Sequence, residues 1–116
     1  MRIMDLCSHS QDSAASTRIL VTHGTDTMIE TGRYISERIL RMPSPPVIVL
    51  TGALLPERFK DTDADFNVGM AIGALQCLTR PGVYIACTGQ VIPVEHAERI
   101  IATGKFFNLL SSESKP

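Results

Sequence analysis

The chain has 116 residues, room for one domain of ordinary size with a real core. Apolar residues at 44%, charged residues at 20% and a mean hydropathy of +0.11 exclude a disordered tail or a fibrous repeat. Eleven Lys and Arg against twelve Asp and Glu leave a net charge of −1, so nucleic acid and anionic membrane are not the expected partners.

Residues 1–17 read as a polar, Ser-rich, irregular lead, with room for a short strand near Arg2 to Leu6. The β-branched run from Arg18 to Thr22 predicts a buried strand, cut off by His23-Gly24-Thr25-Asp26. Thr27-Met28-Ile29-Glu30 fits a capping box, with a hydroxyl at the N-cap and a carboxylate three residues on. Met28, Ile35, Ile39 and Leu40 then recur near helical spacing, with charged residues mostly between them. Pro43-Ser44-Pro45-Pro46 stops that helix.

Val47 to Thr51 is the strongest strand signal, and its unbroken apolarity implies that both faces are covered, as in a parallel sheet. Gly52 to Asp63 reads as a loop. Ala64 to Leu78 predicts a helix with Val68, Ala71, Ile72, Leu75 and Leu78 on one side; Gly69 and Gly73 leave room for close packing. Val83 to Cys87 predicts a further strand, Gln90 to Ile92 a short one, and Glu95 to Thr103 a last helix with Gly104 at its C-cap. Residues 111–116 read as a frayed tail. The alternation predicts a single domain over 1–116, a three-layer α/β sandwich on a mostly parallel sheet.

Cys7, Cys77 and Cys87 are widely spaced and form no zinc-type group, so neither a disulfide framework nor a metal site is suggested. Cys77 and Cys87 lie in apolar stretches and read as reduced, buried thiols. With no apolar run of signal-peptide or membrane-span length, a cytoplasmic location is the expectation.

Sites in such sheets form outside the carboxyl ends of the strands, which draws attention to Thr22-His23-Gly24-Thr25-Asp26-Thr27-Met28. Glycine permits a tight turn, and the helix start offers free N–H groups and a positive dipole end. The Thr25 hydroxyl is a candidate nucleophile or proton relay, and the Asp26 carboxylate a candidate partner for a cationic group such as an α-amine. Thr and Asp are equally ordinary N-cap residues, so the spacing alone leaves a structural role open for both. His23 is open in the same way, to a structural hydrogen bond or to chemistry.

The string Thr-His-Gly-Thr-Asp-Thr-Met after an Ile-Leu-Val strand resembles the second signature of the bacterial-type L-asparaginases, the threonine amidohydrolases. The resemblance continues in order through Val49-Leu50-Thr51-Gly52-Ala53-Leu54-Leu55-Pro56, Asp63-Ala64-Asp65-Phe66-Asn67, Gly82-Val83-Tyr84-Ile85-Ala86 and Gly104-Lys105-Phe106, covering about Ile19 to Phe106. It implies a flavodoxin- or Rossmann-like sheet as in the asparaginase N-terminal domain, and hydrolysis of the side-chain amide of asparagine or a relative without a cofactor. By resemblance Thr25 is the threonine of the second catalytic group, Asp26 binds the substrate amine, and Ala53 offers a backbone carbonyl near the substrate amide. The family's catalytic lysine falls on Arg99, counting without gaps from Gly82. Arginine stays charged and acts only on negative charge, whereas lysine can also release a proton.

The family's opening Thr-Gly-Gly-Thr turn, which carries its primary threonine, has no counterpart in this sequence, nor has its tyrosine-bearing flexible loop. Ser10-Gln11-Asp12 is similar to the family segment that binds the substrate carboxylate, making Ser10 and Gln11 candidate ligands. It stands only fifteen residues before Thr25, about a helix closer than the family spacing. The sequence therefore reads as a short form whose missing elements leave apolar faces for a second copy to cover, as a homo-oligomeric dimer or tetramer. Two functions follow: an asparaginase-like amidohydrolase, or a catalytically inactive asparaginase-like module that binds an amino acid or serves as an oligomeric partner. An anion-binding module of flavodoxin type fits less well, for want of a Gly-rich phosphate loop or an acidic metal cluster after the strands.

Overall fold

A computed structural model describes residues 4, 17–52, 64–99 and 106–109. In chain order the elements are β1 (Arg18–Thr22), α1 (Met28–Ile39), β2 (Val47–Thr51), α2 (Ala64–Cys77), β3 (Gly82–Cys87), β4 (Gln90–Pro93), a 3-10 turn (Val94–His96), β5 (Ala97–Arg99) and β6 (Phe106–Asn108). Four strands form one sheet in the order β1-β2-β3-β4; the first three run parallel and β4 pairs antiparallel with β3. The predicted α/β sandwich is the observed one.

Alternation along the strands decides which helix covers which face. Ile48, Leu50, Val83, Ile85 and Cys87 point to one side and meet Met28, Ile35 and Ile39 of α1. Val47, Val49, Tyr84 and Ala86 point to the other and meet Ala71 and Leu75 of α2. Every residue of β2 is buried, the structural cause of its unbroken apolar run. The chain steps in one direction across β1, β2 and β3 while α1 and α2 lie on opposite faces. The two crossovers therefore have opposite hands, and one of them departs from the usual right-handed rule.

The two helices are held unequally. α1 buries Met28, Gly32, Ile35 and Ile39, and full burial of such aliphatic side chains contributes about 1.5–3 kcal/mol each. Gly32 lies flush on the 3-10 turn, since a Cβ there would come within 2.7 Å of Val94 Cγ2. α2 buries only Asn67 and Ala71. Arg18 ties down its far end by donating to the Leu75 and Leu78 carbonyls at 2.5 and 2.6 Å, a cation placed at the negative end of the helix.

Several expectations are corrected. Glu95 does not begin a helix: Val94–His96 is one 3-10 turn, and Ala97–Arg99 is a strand paired antiparallel with Phe106–Asn108. The core explains the change, because Val94, Ala97 and Phe106 all fill the α1 side of the sheet and the β5–β6 ladder lets them do so together. Leu40 is 77% exposed rather than part of the helix stripe, and Ile72 is 45% exposed, so the inner face of α2 is turned toward Asn67 and Ala71. Thr27 makes no side-chain cap hydrogen bond; its carbonyl receives the Thr31 N–H instead. Cys87 is buried but Cys77 is exposed. Met4 is helical where a short strand was expected, and packs against the core. The expected loop beyond Gly52, the Gly104 C-cap and the tail at 111–116 lie outside the described residues.

Candidate functional site

The carboxyl ends of β1, β2 and β3 lie level, with Thr22 beside Thr51 and Thr51 beside Ala86. Beyond Thr22 the chain turns through His23–Thr27 into α1, and two contacts fix that turn from below. The His23 N–H donates to the Thr51 carbonyl at 2.9 Å. Gly52 packs against the turn so closely that a Cβ there would collide with the His23 carbonyl and approach Met28 Cε and Thr25 Cγ2 at 2.8 and 3.4 Å. The His23 ring clamps the turn from the side. Its Nδ1 lies 2.6 Å from the Gly24 carbonyl and its Nε2 3.0 Å from Thr31 Oγ1. A carbonyl only accepts, so Nδ1 carries the proton, and in the neutral ring Nε2 accepts from the Thr31 hydroxyl.

On this platform Thr25 and Asp26 meet Arg99, which arrives from β5. Arg99 Nη1 donates to Asp26 Oδ1 at 2.8 Å, and Nη2 donates to Thr25 Oγ1 at 3.4 Å. The guanidinium also lies 5.9 Å from the ring centre of buried Phe106, on the strand beside it. Arg33 of α1 anchors β5 by donating to the Ala97 carbonyl at 2.9 Å, and pairs with Glu98 at 3.3 Å. Arg99 is thus held from both sides. Its side chain is 27% exposed against 91% for Asp26, so the ion pair is open to solvent on the carboxylate side and contributes about 0–1 kcal/mol at most.

A cavity of about 310 Å³ opens at this place, lined by Thr25, Asp26, Ile29, Glu30, Arg33, Glu98 and Arg99, a volume at the lower end for small-molecule sites. The lining mixes two guanidinium groups with three carboxylates and a hydroxyl, a surface suited to a zwitterion. Among the described residues, no group of three His, Cys, Asp or Glu is placed to hold a metal ion, and no helix is long and apolar enough to cross a membrane.

Of the residues singled out from the sequence, Thr25, Asp26 and Arg99 come together, with Arg99 on a strand rather than on a helix surface. Ser10, Gln11 and Ala53 lie outside the described residues. From the sequence Glu30 is expected only as the capping-box carboxylate and Arg33 only as a charged residue between the apolar positions of the helix, while Glu98 is not singled out. Nor does the sequence give a role to Asn67, which is fully buried. Two signals point to Asn67: its place at the end of the Asp63-Ala64-Asp65-Phe66-Asn67 segment of the resemblance, and its position four residues before Ala71, on the same face of α2.

The sequence model of the family described as asparaginase, N-terminal, matches residues 2–109. The chain belongs to the asparaginase family. It is similar to an L-asparaginase from Thermococcus kodakarensis, at 31% identity over 86 residues, a stretch that covers 74% of this chain and 25% of that protein. The matched region thus spans about a quarter of that relative's length.

Proposed function

We propose that this chain carries an asparaginase-like amidohydrolase site in which Thr25, Asp26 and Arg99 act on the side-chain amide of L-asparagine or a related amino acid. The observation that carries the reading is the meeting of Arg99 with Thr25 and Asp26, 74 and 73 residues away in sequence, at the carboxyl ends of the parallel strands and on the wall of a cavity. Family membership and the similarity to an L-asparaginase support the substrate class.

The chemistry follows from the three groups. The Thr25 oxygen attacks the amide carbon, its proton leaves to a base other than Arg99, and ammonia departs after gaining a proton. Water then cleaves the resulting ester, restoring the hydroxyl and releasing the carboxylic acid. The Arg99 guanidinium, 3.4 Å from Thr25 Oγ1, favours negative charge on that oxygen. It stays protonated throughout, so its part is electrostatic. Asp26, with most of its carboxylate open to solvent, receives the substrate's α-amine. By resemblance Ser10 and Gln11 take the α-carboxylate and the Ala53 carbonyl faces the amide. A second copy of the chain, as a dimer or tetramer in the cytoplasm, completes the assembly. Ammonia and the acid released in equal amounts from L-asparagine by purified protein is the expected result; no release above buffer would defeat the reading.

One observation favours a second reading, the catalytically inactive module that binds an amino acid or serves as an oligomeric partner. Arg99 stands where the resemblance implies a lysine, and its pairing with Asp26 engages the carboxylate that would hold the amine. Binding of L-asparagine seen by calorimetry, with no ammonia released over hours, separates it from the first.

A further inference from the structure

Beneath the Thr25 turn lies a buried polar node that neither the sequence motif nor the proposed chemistry uses. Asn67, on the inner face of α2, is 0% exposed. Its Nδ2 donates to the Gly52 carbonyl at 2.8 Å and reaches Cys87 Sγ at 3.6 Å, while its Oδ1 accepts the Thr88 N–H at 3.2 Å. One side chain thus joins the end of β2, the end of β3 and the turn into β4. A fully buried amide is retained at a cost unless its hydrogen bonds are made. Here the bonds go to the two strand ends on which the site stands.

The neighbouring geometry shows what the node holds. Thr88 has a φ of 52° and Gly89 a φ of 80°, so the β3–β4 connection is a two-residue turn with both residues in the left-handed region. That conformation is uncommon for a β-branched residue and needs an external hold. Among the described residues Thr88 Oγ1 is buried with no hydrogen-bond partner, and the hold that they provide comes through the backbone N–H that Asn67 accepts. On the other side, Asn67 fixes the Gly52 carbonyl. Gly52 is the residue pressed against the His23 carbonyl and the Thr25 methyl.

We infer that Asn67 is a positioning residue for Thr25: it sets the height of Gly52, and Gly52 sets the place of the His23–Asp26 turn above it. This rests on the amidohydrolase reading only for its kinetic consequence.

The test uses the full chain with three proteins: wild type, Asn67→Asp and Ala71→Gly. Asn67→Asp keeps size and the acceptor for the Thr88 N–H, but sets a carboxylate oxygen against the Gly52 carbonyl. Ala71→Gly loosens the same helix without touching Gly52. Amide hydrogen exchange is read at matched global stability. In Asn67→Asp, exchange at His23 through Asp26 is expected to rise roughly tenfold over Ala71→Gly, with β1 residues Ile19 to Val21 unchanged. It is expected to recover at acid pH, where the protonated carboxyl donates again. Equal exchange at His23–Asp26 in the two variants, or a change confined to Gly52 and Thr88, would overturn the assignment. Should Asn67→Asp not fold, Asn67→Ser carries the same comparison. Where wild type releases ammonia, Asn67→Asp lowers kcat by at least about tenfold with KM within about twofold. A wild type that releases none defeats the amidohydrolase reading, while the exchange result still decides the role of Asn67.

Discussion

Arg99 is the side chain on which the proposed chemistry turns. It touches both members of the motif that follows β1, donating to Thr25 Oγ1 and to Asp26 Oδ1, and it stands where a lysine is implied by the resemblance. Arginine offers several fixed donors and a permanent charge; lysine offers one point charge and a proton it can give up. Arg99→Met removes the donor to the reacting oxygen and is expected to lower ammonia release by about 100-fold. Arg99→Lys restores a group that can shuttle a proton, so its rate is expected to match or exceed wild type and to climb with pH. Both are read by initial rates on L-asparagine, and an unaffected Arg99→Met would remove Arg99 from the mechanism. That Thr25 and Asp26 stand between a strand end and a helix start was legible from the local pattern. That Arg99 reaches them was legible only through the resemblance, since the local pattern from Glu95 onward reads as a helix.

At the scale of elements, the strands and first two helices follow from local pattern, and each misreading has a structural cause. Ala97 and the residues after it have helical spacing, but tertiary packing prevails: Val94, Ala97 and Phe106 are drawn into the α1-side core and β5 pairs with β6. Leu40 has the right spacing for the α1 stripe but lies just past the helix end. Gly52, just past β2, leaves no room for a side chain against the site turn, since an added Cβ would collide with the His23 carbonyl. Gly52→Ala forces the His23 backbone to move, and is expected to cost about 1–3 kcal/mol of stability, measured by urea unfolding; an unchanged midpoint would show that the turn yields freely. Tyr84 of β3 gives a pH prediction. Burial lifts its phenol above the ordinary tyrosine value; Arg80 opposes the shift and Glu95 adds to it, while the hydroxyl donates to the Arg80 carbonyl at 2.7 Å. With the folded pKa raised, the folded state holds its proton longer than the unfolded state. The contribution is therefore fully present below the ordinary tyrosine range and is lost as pH rises through it and beyond. Tyr84→Phe should flatten that alkaline fall in a series of thermal melts, and an identical slope in the variant would argue against it.

For the molecule as a whole, the sheet is closed by α1 on one face more tightly than by α2 on the other. α2 presents Phe66, 64% exposed, and Ile72, 45% exposed, on its outer side, together with Gly69 and Gly73, where an added Cβ would meet nothing within 4 Å. Such a surface supports the proposed self-association. Sedimentation velocity at micromolar concentration is expected to give a mass above that of one chain, and Phe66→Glu to lower it; a single monomer boundary for wild type would contradict the oligomer.

The central claim, that Thr25 does chemistry rather than merely starting a helix, rests on a direct comparison. Wild type and Thr25→Ala are incubated with L-asparagine under identical conditions, with thermal melts verifying that both are folded, and ammonia is followed over time. Steady release by wild type that falls to the buffer rate in Thr25→Ala is the predicted result; equal release from both, or none from either, would contradict it.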